Sequence, residues 1–140
     1  MNRKHNLPTY LCPKVLPFEV DGRLNKSPWR DTKAVRLKET TGENRQLQYT
    51  TVRLCYSEEA LYISYRCVDS AIQSTLTERD SPLYEEDTVE AFLSPTGDLH
   101  HYFEFEFNAL NALFDAKVFS PDRKSTRLNS SHLVISYAVF

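Results

Sequence analysis

A chain of 140 residues, 41% hydrophobic and 26% charged, has room for one domain with one core and is too apolar to be disordered along most of its length. Its formal net charge of −2, with basic residues scattered rather than striped, offers no positive field for nucleic acid. The basic start "MNRKHNLPTYLCPKVLPFEV" has no apolar run before Pro13, so no signal peptide is expected, and no later segment has the length of a membrane span.

Short alternating runs of aromatic and β-branched residues, separated by turn clusters, predict an all-β domain, and no window shows helical periodicity. Residues 1–14 read as a lead-in. Strands are then expected at Val15–Val20, Lys33–Leu37, Leu47–Tyr56, Leu61–Asp69, Asp87–Leu93, His101–Asn108 and Ala112–Phe119. "YSEEALY" joins the third of these to the fourth. "SPTGDLH", with Pro95 and Gly97, supplies the turn before His101, and "NALN" (Asn108 to Asn111) is a hairpin loop, because Asn tolerates the left-handed backbone such turns require. In "HYFEFEFN", His101, Phe103, Phe105 and Phe107 fall on one face, expected to be core. Tyr102, Glu104, Glu106 and Asn108 fall on the other, polar face. Cys12, Cys55 and Cys67 cannot all pair within the chain and match no zinc or redox spacing; they read as core thiols.

If Leu93 faces His101 and Phe107 faces Ala112, then Val89, Phe105 and Phe114 form a core row. Glu90, Glu104 and Asp115 then form a carboxylate row on the opposite face. Three like charges in a row call for a cation. A neighbouring Arg66 or Lys117 is one solution, a hard cation such as calcium held by Glu90, Glu104 and Asp115 is a second, and open solvation or a different register is a third.

Four stretches, "VDGRLNKSPW", "EEALYISYRCVDS", "TERDSPLYEEDTVEAFLSP" and "YFEFEFNALNALFDAKV", occur in the order and spacing of the family 9 carbohydrate-binding modules, which residues 7–121 resemble. The resemblance implies an antiparallel β-sandwich of the immunoglobulin or jelly-roll type. It matches Asp21 and Gly22 to the family's opening turn and Trp29 to its packing tryptophan. It also matches Arg79, Asp80, Tyr84, Glu85, Asp87, Val89, Glu90 and Phe92 to an acidic loop leading into a central strand, with an Arg79–Asp87 pair expected to order that loop. A glycine of the family's hairpin turn is replaced by Asn111.

Family members that bind sugar-chain ends clamp the pyranose between two tryptophans, and this chain has only Trp29. The candidate ligand-binding aromatics are therefore Trp29, Tyr62, Tyr84 and Tyr102, although each also reads as an ordinary core or sheet residue. What the resemblance implies is a module that holds saccharide or polysaccharide beside an attached or associated glycoside hydrolase, in extracellular or periplasmic carbohydrate catabolism, without membrane or nucleic-acid partners.

The last segment, "DRKSTRLNSSHLVISYAVF" from Asp122 to Phe140, matches the in-frame translation of a widely used sequencing-library adapter. Every fixed codon agrees, and the variable index falls at Leu133 and Val134. The expected organisation is thus a sandwich over 15–121, incomplete at its C-terminal end, followed by an adapter-derived segment over 122–140. That segment carries Arg123, Lys124 and Arg127 against Asp122, so the remainder is more acidic than the whole.

Two other classes are compatible with the sequence. A glycosidase would use a carboxylate pair such as Glu90 with Glu104, and a sandwich without sugar binding would serve as an interaction module. Haem ligation is poorly served by a sole methionine, Met1, and by His100 and His101 in a turn; three glycines are too few for a phosphate loop.

Overall fold

The computed structural model describes residues 9–38, 49–97, 100–119 and 126–129. Two antiparallel sheets make up the fold, as expected of an incomplete β-sandwich. One has the order β1 (Val35–Arg36), β2 (Tyr49–Tyr56) and β3 (Leu61–Val68). The other has the order β4 (Thr88–Leu93), β5 (His101–Asn108), β6 (Leu113–Phe119) and β7 (Thr126–Asn129). No α-helix occurs among the described residues; two short 3-10 turns lie at Trp29–Asp31 and Leu83–Glu85.

The expected strand at Val15–Val20 does not form. Pro17 removes a donor from its middle, and backbone pairing with β2 is confined to Tyr56, whose N–H donates to the Pro13 carbonyl while Val15 N–H donates to the Tyr56 carbonyl. The segment instead crosses one face of the first sheet. There Val15, Phe18 and Val20 pack on buried Trp29, Cys55 and Tyr62, with the Phe18 ring 5.4 Å edge-on from Trp29 and 4.3 Å from Tyr62.

Two of the three expected hairpin connections, "YSEEALY" and "NALN", close as their residues dictate. Ser57 N–H donates to the Ala60 carbonyl while Ser57 Oγ accepts from the N–H groups of Glu59 and Ala60. Asn111 takes the left-handed backbone, at φ 63°, and donates to the Asn108 carbonyl. Asp21 and Gly22 form the expected turn, with Gly22 at φ 73° and Arg23 N–H on Asp21 Oδ1.

The register in the second sheet differs from the expected one. Leu93 pairs with Phe103 and Phe107 with Leu113, so Glu90 stands opposite Glu106, Phe92 opposite Glu104, and Phe105 opposite Asp115. The first hairpin is wider by two residues, because Leu93 pairs with Phe103 rather than with His101. The second shifts by one residue, because Ala112 remains in the turn, and a one-residue slip moves a side chain to the other face. Asp115 consequently lies on the Phe105 face, away from Glu104, and the carboxylate row does not form.

The polar face of β5 is not a solvent face either: Glu104, Glu106 and Asn108 are buried, while Phe103 and Phe107 are only half-buried. Alternation distinguishes two faces, but a strand flanked on both sides, as β5 is, does not reveal from its own sequence which face is covered.

Candidate functional site

The first sheet has a second face, bearing Thr50, Tyr65 and Cys67, opposite the one that packs on Trp29. It looks across to β4, the outer strand of the second sheet, and Tyr65 Oη donates to the Glu90 carbonyl at 2.7 Å. Between these elements lies an open cleft of about 920 Å³. Its apolar walls include Leu37, Ile72 and Phe92, all of them large side chains left substantially exposed; Phe92 is 53% accessible. Arg23, Arg66, Asp69, Asp87 and Glu90 supply its charged groups.

Two of these groups are held in place by the backbone. Asp69 Oδ1 accepts from Ala71 N–H at 2.9 Å, and Asp87 Oδ2 accepts from Gln73 N–H at 2.8 Å while Asp87 N–H donates back to the Gln73 carbonyl. Next to them, Glu86 binds the N–H groups of Thr75 and Leu76 and the Thr75 hydroxyl; these bonds, the hydroxyl's foremost, hold its carboxyl below the usual carboxylate range. Burial raises the Tyr65 hydroxyl to about 12, with Cys67 and Glu90 adding to the shift, so it is a neutral donor at any ordinary pH.

The expected ligand-binding aromatics do not meet in this cleft. Trp29, only 1% exposed, and Tyr62, whose Oη lies 3.4 Å from Ser57 Oγ, are in the core of the first sheet. Tyr84 is exposed on the Leu83–Glu85 turn, and Tyr102 stands edge-on to Phe92 at 5.8 Å. Tyr102 thus supports a cleft residue without lining the cleft.

Glu90 lines the cleft, but Glu104 is buried and Asp115 takes Arg79 as its partner, in place of Arg66 or Lys117. The expected Arg79–Asp87 pair is replaced in the same way: Arg79 reaches Asp115 and Asp80, and Asp87 is occupied by Gln73. Among the described residues no group of three or more His, Cys, Asp or Glu is arranged to hold a metal ion, so the ground on which Glu90, Glu104 and Asp115 suggested calcium is missing. Only Cys55 is a fully buried thiol; Cys12 is half-buried, and Cys67, among the exposed last residues of β3, lines the cleft.

Reading the sequence missed Tyr65, Phe92 and Phe107. One signal was present: in "TVEAFL", Phe92 shares its face with Thr88 and Glu90, and an aromatic on the polar side of a strand calls for a reason.

Residues 20–139 match the sequence pattern described as "Carbohydrate family 9 binding domain-like". The chain belongs to that family. Among solved structures, this family 9-like domain is similar to a Bacteroides uniformis protein proposed to bind carbohydrate, with a TM-score of 0.68 at 17% identity. The alignment covers 86% of the present chain and 56% of that protein, so the chain spans little more than half its length. No curated protein matches the sequence. Among the described residues of the family 9-like domain, no helix is long and apolar enough to cross a membrane.

Proposed function

We propose that this family 9-like domain binds saccharide in the cleft between β3 and β4, and that it does so without cutting. The observation that carries the reading is the cleft's mixture of exposed apolar faces with charged groups, two of which, Asp69 and Asp87, are held by backbone N–H groups. A sugar ring has an apolar C–H face that suits a ring such as Phe92, and hydroxyls that suit Asp69, Asp87, Arg23 and Arg66. Family membership supports the same reading. Glycosidic cleavage finds less support, since it needs two carboxyl groups flanking one bond and Glu90 and Glu104 do not share the cleft.

The role that follows is to hold polysaccharide near an attached or associated glycoside hydrolase, outside the cytoplasm, in carbohydrate catabolism. Titration calorimetry with soluble oligosaccharides tests the binding. Heat that saturates in the wild type and is weakened about tenfold or more in Phe92→Ala supports it; no heat with any saccharide refutes it, and release of aryl alcohol from an aryl glycoside would make the protein an enzyme instead.

We also propose that residues 122–140 are adapter-derived and not part of the natural domain. The codon-by-codon match supports this reading. The pairing of Thr126–Asn129 with β6 is a four-residue match on a sheet edge, which local propensity suffices to produce, and residues 134–139, whose alternation also suggests a strand, lie outside the described residues. Sequencing the genomic reading frame across Pro121 decides it: the same codons there would establish the segment as native.

A further inference from the structure

We infer that the cleft takes a neutral stretch of several linked sugars in preference to a single ring or an acidic glycan, an inference that rests on the carbohydrate-binding reading of the same site. The first ground is size. A hexose has twelve non-hydrogen atoms; even at about 30 Å³ apiece, the share of a water molecule in the liquid, it occupies about 360 Å³. That is well under half of the roughly 920 Å³ present, so one ring would leave most of the walls wet.

The second ground is the distribution of apolar surface. Leu37 follows β1, Ile72 lies in the connection after β3, and Phe92 is on β4. These three exposed faces come from three different elements rather than forming one platform, and successive rings of a chain can use them in turn. A cleft that is open to solvent also gives a chain room to run out at its ends.

The third ground is charge. Arg23 and Arg66 stand against Asp69, Asp87 and Glu90, leaving an excess of one carboxylate. Asp69 and Asp87 each commit one oxygen to a backbone N–H, and the other can accept from a sugar hydroxyl. A hydroxyl both donates and accepts, so a neutral polyol satisfies groups of both signs. A uronate would satisfy the arginines but bring its charge beside three carboxylates.

The experiment is calorimetric titration of the full chain with neutral gluco-, xylo- and manno-oligosaccharides of one to six units. The same oligosaccharides are run with the terminal sugar reduced by borohydride, alongside galacturonate oligomers of matching length. In at least one neutral series, affinity is expected to rise about tenfold or more from one unit to four and to change less than about twofold on reduction of the end. The galacturonate oligomers are expected to bind more weakly than that series. Phe92→Ala should flatten the length dependence. A single sugar binding as tightly as its tetramer, loss of binding on reduction of the end, or tighter binding of the galacturonates would overturn the inference while leaving saccharide binding in place. No binding by any of these sugars would overturn both.

Discussion

Tyr65 donates its hydroxyl hydrogen to the Glu90 carbonyl at 2.7 Å, a bond from β3 of one sheet to the outer strand of the other. It satisfies a carbonyl on a strand that has a sheet partner on one side only, and it closes one side of the proposed binding cleft. Tyr65→Phe keeps the ring and removes the donor, so it should cost about 1 kcal/mol in urea unfolding.

The same residue carries a pH dependence. The neutral phenol is favoured in the folded state, whose value near 12 lies above the ordinary 10, so between those two values the folded protein holds a proton that the unfolded chain has lost. Stability should therefore fall as pH rises from about 10 towards 12. Urea midpoints measured across this range should decline less steeply in Tyr65→Phe; an equal decline in both proteins would show that other groups carry the effect.

Trp29 is the chain's sole tryptophan, and it is buried with Phe18 on its edge. Its emission should be that of an indole shielded from water, shift to the red on unfolding, and stay unmoved when a saccharide occupies the cleft, which lies on the other face of that sheet. A ligand-dependent shift would place Trp29 at the binding site and displace the cleft reading. Trp29→Ala should cost about 3–5 kcal/mol through the cavity it leaves.

Strand positions were readable where alternation was long and turn chemistry flanked it: His101–Asn108 and the Leu61 start of β3 follow directly from sequence, as do the Ser57–Ala60 and Asn108–Asn111 turns. What escaped was anything set by contacts between distant segments. The two-residue and one-residue differences in register separated Asp115 from Glu104 and removed the expected metal site, although β4, β5 and β6 lie within one residue of where the sequence places them. The cleft was hidden for the same reason: Leu37, Tyr65, Ile72 and Phe92 come from four stretches, and no local pattern links them. Trp29 was legible as a packing residue because the resemblance assigned it that role, and its burial agrees.

Arg79 and Asp115 form an ion pair in which the carboxylate is fully buried and the arginine side chain is 40% exposed. Removing one member of a fully buried pair costs about 3–5 kcal/mol, and the exposure of Arg79 lowers the expectation for Arg79→Leu to about 2–3 kcal/mol. Arg79→Lys, which keeps the charge but loses the planar fork, should recover part of this. Denaturant unfolding of the two variants checks it. Equal losses would mean that guanidinium geometry, not charge, is what Asp115 requires.

Asn108 ends β5 and uses its whole amide. Oδ1 accepts from Leu110 N–H at 3.1 Å and from Ala112 N–H at 2.9 Å, fixing the turn, while Nδ2 donates to the Leu76 carbonyl at 2.7 Å, tying the loop before Arg79 to the sheet. Because the residue is buried, the groups it leaves behind cannot turn to water. Asn108→Ala should cost about 2–4 kcal/mol, more than the loss of one ordinary hydrogen bond. Asn108→Asp separates the two roles: its oxygens can still hold the turn, but it has no donor for Leu76 and adds a buried negative charge. If the tie to Leu76 matters, Asn108→Asp should be no more stable than Asn108→Ala at neutral pH and should regain stability on acidification, as the carboxyl takes up the proton it needs to donate. Thermal unfolding at pH 7 and pH 5 distinguishes the outcomes: an aspartate variant as stable as wild type at pH 7 would show that the turn alone accounts for Asn108.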